Sequence, residues 1–121
     1  VPDGGSSWLL PRLVGLPRAT QMMMLGEKIS AEQAADWGLI YKAVEDDALM
    51  AEAEALEKRL ASGPTVALGT MRKVLRGGLT QSYAETLDAE AMGQYLAGNS
   101  ADAAEGIAAF LQKRKTEFKG K

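Results

Sequence analysis

Proline at the opening of apolar, periodic segments and glycine just past their ends recur along this chain, and that punctuation confines it to a succession of short helices. Pro17 opens a segment that runs through Met22, Met23 and Met24 to Leu25, and Gly26 closes it. Ser30-Ala31-Glu32-Gln33 predicts a capping box, with Ser30 accepting from the third helical amide, Gln33 reaching back and Gly38 as the stop. From Ala48 to Ala61, residues Leu49, Ala53, Leu56 and Leu60 share one stripe, which predicts an amphipathic helix ended by Gly63. Pro64 starts the next helix, whose apolar face of Val66, Leu68, Met71, Val74 and Leu75 runs to Gly77-Gly78. Thr80 is expected to cap a long helix carrying Tyr83, Leu87, Met92, Tyr95 and Leu96 and ending at Gly98. Asn99 or Ser100 caps the last, with Ile107, Phe110 and Leu111. Only Leu39-Ile40-Tyr41-Lys42-Ala43-Val44 is rich in β-branched and aromatic residues, a short strand or extended connection. The fold class is mainly α, about six helices joined by short loops.

A hydrophobic content of 46% with 25% charged residues suits one soluble domain with a modest core. Two features sit poorly with a self-sufficient bundle. Gly69 and Gly106 lie inside helical patterns at a cost of about 1 kcal/mol each relative to Ala, which reads as close backbone packing. The segment Val1-Pro2-Asp3-Gly4-Gly5-Ser6-Ser7 reads as a loop entering a helix from the middle of a domain, so the chain is expected to lack its front half.

With no Cys and no His, this chain holds no thiol nucleophile, imidazole base, disulfide or Cys- or His-ligated metal. Chemistry must rest on carboxylates, lysines, hydroxyls or backbone amides. A net charge of −2 makes no case for nucleic acid or an anionic membrane. No apolar run approaches the roughly 20 residues that span a bilayer, and with no targeting segment a cytoplasmic location is expected. The charge is nonetheless uneven, since Lys113 to Lys121 carries five cations against Glu117.

Asp3 is the one carboxylate in a glycine-rich loop ahead of a helix, where it serves either as a general acid/base or as a turn former and helix cap. Lys113, Arg114 and Lys115, expected on the last helical turn, either meet a polyanion, with Phe110 stacking on a purine, or form a solvated helix end. The three methionines are assigned to core, and Trp8 and Trp37 to packing, with acceptors expected for their indole nitrogens.

One ordered set of motifs spans the chain. It comprises Trp8-Leu9-Leu10-Pro11-Arg12 with Gly15, Leu25-Gly26-Glu27-Lys28-Ile29-Ser30-Ala31-Glu32-Gln33-Ala34, Trp37-Gly38-Leu39-Ile40 and Gly63-Pro64-Thr65. Ser100-Ala101-Asp102, Glu105-Gly106 through Phe110-Leu111, Lys113-Arg114 and Phe118-Lys119-Gly120-Lys121 complete it. This set resembles the C-terminal half of the enoyl-CoA hydratase/isomerase (crotonase) superfamily. Pro2-Asp3-Gly4-Gly5 ahead of the Trp8 motif looks most like the branch that isomerises ring epoxides of phenylacetyl-CoA.

The resemblance implies the C-terminal helical part of the α/β crotonase fold, with the N-terminal sheet region of ββα spiral units absent. Residues 1–44 would end the crotonase core and residues 45–121 form a helical oligomerisation region. It also implies an acyl-CoA thioester substrate whose enolate is held by two upstream backbone amides. Coenzyme A is then part of the substrate, with no separate cofactor and no metal. Asp3 matches the acid/base or nucleophilic carboxylate. Phe110 and Lys113 match contacts to the adenine and phosphates of a neighbouring subunit's CoA in a trimer or dimer of trimers. Thr116 stands where other members have Pro after the basic run. A different class stays open beside this one, a helical assembly module without activity.

Overall fold

The computed structural model describes residues 1–121, which form seven α-helices and no strand. They divide into two compact units, Val1–Leu49 and Met50–Lys121.

In the first unit, α1 (Ser6–Val14) packs against α2 (Leu16–Leu25), and α3 (Ala31–Asp36) follows. The corner between α1 and α2 is the single residue Gly15, at φ 81°. Its N–H donates to the Pro11 carbonyl at 3.1 Å and its carbonyl accepts from Ala19 at 3.1 Å, so one residue ends a helix and starts the next. Pro17 sits in the first turn of α2, where a missing N–H costs nothing. Pro11 departs from that rule and lies inside α1. Val14 and Ala19 are buried. Arg12 lies 3.9 Å over the Trp8 ring and Arg18 5.1 Å over Trp37, so each ring offers a face to a cation.

Ser30 caps α3 as expected, accepting from the Gln33 N–H at 3.1 Å. Its hydroxyl also hydrogen-bonds the Glu32 carboxylate, which lowers that group's pKa. The helix closes on Gly38, φ 74°, with Gly38 N–H donating to Ala35 and Leu39 N–H to Ala34, both at 2.9 Å. These are the paired bonds of a Schellman motif. Residues 39–44 form bends and irregular chain, because an isolated extended segment has no ladder to join.

The second unit contains α4 (Leu49–Ala61, beginning at the unit boundary), α5 (Thr65–Gly77), α6 (Tyr83–Gly98) and α7 (Ala101–Leu111). Helices α5 and α6 pack together, and α6 also touches α7. The cap of α6 is Ser82 and not Thr80. Ser82 Oγ accepts from Glu85 N–H at 3.3 Å while the Glu85 carboxylate accepts the Ser82 N–H at 2.8 Å. Thr80 belongs to the turn that closes α5, its hydroxyl donating to the Gly77 carbonyl.

Close packing at a helical glycine occurs, but at Gly93. A Cβ there would stand 2.9 Å from Thr70 Cγ2. Around Gly69 nothing lies within 4 Å of such an atom, and Gly106 only meets the Phe118 ring at 3.6 Å. The core is thinner than the composition suggests. Its buried apolar residues are Val14, Ala19, Ala34 and Ala109, and no large side chain is fully buried. The stripe of α4 is exposed at Leu49, Leu56 and Leu60. An open groove of about 630 Å³ between α5 and α6 is lined by Met71, Val74, Leu75 and Leu87 among others. No helix is long and apolar enough to cross a membrane.

Candidate functional site

Asp3 lies exposed in the loop that leads into α1. Its carbonyl accepts both the Ser6 N–H at 3.0 Å and the Ser6 hydroxyl at 2.7 Å. Gly4 and Gly5 follow at φ 57° and 82°, a left-handed pair that turns the chain sharply and requires residues without a Cβ. Gly5 is the N-cap of α1 and no side chain caps that helix. The turn-and-cap reading of Asp3 is thus half met, since the backbone forms the turn while the carboxylate is not used by the helix.

Phe110 and Lys113 lie in the other unit, at the end of α7. Phe110 is 82% exposed in the last turn. Lys113, Arg114 and Lys115 come after the helix and not on it, because α7 stops at Leu111 with Gln112 as its cap. Lys113 N–H donates to Phe110 at 3.2 Å and Arg114 N–H to Ala109 at 3.0 Å, the same paired closure as at α3. The position that Gly38 fills there is Lys113 here, at φ 54°, the one non-glycine residue with positive φ.

The basic tail is folded back along α7 by two carboxylates three residues apart. Asp102, 2% exposed, accepts Lys119 N–H on Oδ1 at 2.7 Å and Gly120 N–H on Oδ2 at 2.8 Å. Its own N–H donates to the Lys121 carbonyl at 2.9 Å. Glu105 accepts Arg114 Nη1 at 2.6 Å and Nη2 at 2.8 Å, and Oε1 also takes the Glu117 N–H at 2.9 Å. The Arg114 hydrogen bonds, then the Glu117 amide, pull the Glu105 pKa down to about 2, and Glu105 in turn raises that of Arg114. Arg114 is thereby committed to Glu105, and neither Lys113 nor Lys115 takes part in that pair. Neither carboxylate was assigned a role from the sequence. Their signal was an acidic pair at helical spacing facing a tail of opposite charge. No group of three or more Asp or Glu side chains converges as a metal site.

A family model described as enoyl-CoA hydratase/isomerase matches residues 1–121. The chain belongs to that family. Among its enoyl-CoA hydratase/isomerase relatives, 1,2-epoxyphenylacetyl-CoA isomerase of Escherichia coli K12 is 44% identical over the whole chain, which covers 46% of that protein. Enoyl-CoA hydratase subunit I of Geobacillus kaustophilus HTA426 superposes with a TM-score of 0.94 at 34% identity, over 99% of this chain and 47% of the other. The enoyl-CoA hydratase of Bacillus anthracis gives 0.92 at 28% identity, over 100% and 47%. The chain thus spans about half the length of the relatives it matches, and it is a helical part of the crotonase fold. The family is one of enzymes.

Proposed function

We propose that this chain carries the acid/base carboxylate and the nucleotide-contacting helix end of an enzyme that isomerises or hydrates acyl-CoA thioesters through an enolate. The observation that carries the reading is Asp3, exposed in a Gly-Gly loop with its carboxylate unused by the helix behind it, in a chain matching the family along its whole length. Asp3 would accept a proton from carbon as the C–H electrons pass to the thioester oxygen, then return it to another carbon, which regenerates the carboxylate with no change in oxidation state. The donors that hold the thioester oxygen belong, on this reading, to the part of such proteins that residues 1–121 do not span.

The likeness to the E. coli isomerase favours a ring epoxide of phenylacetyl-CoA, or an enoyl-CoA, as substrate, with hydration as the alternative. Coenzyme A is then part of the substrate, and neither a separate cofactor nor a metal is required. Phe110 and Lys113 would take the adenine and phosphates of a neighbouring subunit's CoA in a trimer or dimer of trimers, in the cytoplasm. Residues 1–44 would close the catalytic core, and residues 45–121 would drive assembly.

Replacing Asp3 by Asn in the complete enzyme is expected to lower kcat by about 10² to 10⁴ while acyl-CoA affinity holds. Unchanged turnover overturns the assignment. The scarcity of large buried side chains favours a second reading, a helical assembly module without activity of its own. Robust enoyl-CoA turnover by the 121-residue chain alone rules it out.

A further inference from the structure

Two helices of this chain close in the same way, yet one uses glycine and the other lysine at the left-handed position. At α3 the residue is Gly38, φ 74°, and at α7 it is Lys113, φ 54°. The backbone bonds are equivalent, so the closure itself does not call for a lysine. A side chain persists in this region only where its surroundings over-determine it.

The surroundings of Lys113 do so from both sides. Arg114 Nε donates to Gln112 Oε1 at 2.7 Å, linking the residues before and after Lys113. The guanidinium is then held flat by both oxygens of Glu105, at 2.6 and 2.8 Å, and Nη1 also reaches the Lys115 carbonyl at 3.1 Å. Glu105 is kept in place by Glu117 N–H, and Lys119 adds its charge nearby. A planar fork gripped at this many points cannot rotate without breaking several bonds together. The ion pair of Glu105 is with Arg114 and not with Lys113.

We propose that Glu105 and Arg114 are positioning residues, whose bidentate pair holds Lys113 in its left-handed turn and so presents its ammonium, beside exposed Phe110, to the phosphates of a phosphorylated adenosine. This deepens the CoA contact described under the proposed function and rests on it. Asp102 supplies an internal contrast. It anchors the same tail at Lys119 and Gly120, beyond the fork, and so stabilises the tail without acting on Lys113.

The test uses the complete, assembled enzyme with Phe110 and Lys113 isotopically labelled, and free coenzyme A as the probe. Without CoA, the backbone coupling constant and carbon shifts of Lys113 should report a left-handed residue, and Glu105→Gln should abolish that signature while Asp102→Asn keeps it. In CoA titrations, Glu105→Gln and Lys113→Gln are each expected to weaken affinity about tenfold, as loss of one charge-assisted phosphate contact does. Placed on Lys113→Gln, the Glu105→Gln change should add nothing further. Asp102→Asn should lower Tm and leave CoA affinity unchanged, which separates positioning from mere stability. A left-handed Lys113 that survives Glu105→Gln, or fully additive losses, overturns the proposal. If CoA leaves the Phe110 and Lys113 resonances of the wild type unmoved, the nucleotide reading beneath the proposal falls. Failure of the fork itself is told apart from this by the Lys113 coupling measured without CoA.

Discussion

Gly93 of α6 lies so close to Thr70 of α5 that a Cβ on it would stand 2.9 Å from the Thr70 Cγ2 methyl. Thr70 cannot easily yield, because its hydroxyl donates to the Val66 carbonyl at 2.8 Å and fixes the rotamer. Gly93→Ala is therefore expected to destabilise the chain by about 1–2 kcal/mol, overpacking outweighing the gain in helix propensity. Gly69→Ala should do the opposite and stabilise by up to about 1 kcal/mol, since its added methyl meets nothing within 4 Å. Urea denaturation of the two variants checks the opposite signs, and stabilisation by both would show that the α5–α6 contact is looser than described.

The start of α6 makes a second paired prediction. Ser82→Ala removes the hydroxyl half of the capping box, the acceptor for Glu85 N–H, while the backbone N–H at that position still reaches the Glu85 carboxylate, and should cost about 1 kcal/mol. Thr80→Ala removes only an exposed hydroxyl bond to the Gly77 carbonyl and should change stability by less than about 0.5 kcal/mol. Thermal melts of the two proteins settle which residue is the cap.

Asp102→Asn leaves one carboxamide oxygen to serve two backbone donors and turns an N–H₂ toward one of them. At a side chain this buried the expected loss is about 2–3 kcal/mol. Limited proteolysis should show residues 118–121 cleaved sooner than in the wild type, whereas equal resistance would mean that the Asp102 bonds do not hold this end of the tail.

Acid should release the Glu105 end of the tail as a local event. The Glu105 pKa is lowered on folding from 4.5 to about 2, so its contribution is fully present above pH 4.5 and is lost as pH falls toward 2. Glu32 and Glu85 are shifted the same way by their caps, so overall stability declines on the same side. Protection of the Glu117 amide, which donates directly to Glu105, taken relative to the intrinsic exchange rate at each pH, should therefore fall between pH 4.5 and 2 in the wild type. In Glu105→Gln that protection should already be low at pH 6 and show little dependence over that window.

The number and order of the helices were largely legible in the sequence, because the signals that start and stop them act over three or four residues. Ser30 and Ser100 accept from amides three positions on, and Gly26 and Gly38 take left-handed dihedrals that only glycine adopts cheaply. Asp3 was likewise marked out by its own neighbours, the two glycines that follow it.

What required the tertiary structure were relationships across long separations of chain. Gly69 and Gly93 look alike in a helical pattern, and only the packing of α6 on α5 makes one crowded and the other open. Thr80 lost the cap to Ser82 because the turn after α5 consumed it. The stripe of α4 was readable as amphipathic, but nothing within a helix states what its face meets. The tail shows the limit best. Its charge was plain in the sequence, yet Asp102 finds Lys119 and Gly120 across 17 and 18 residues, and Glu105 finds Arg114 across nine. Local propensity determines where a helix begins and ends, whereas the partner of a carboxylate is decided by which distant backbone the fold brings to it.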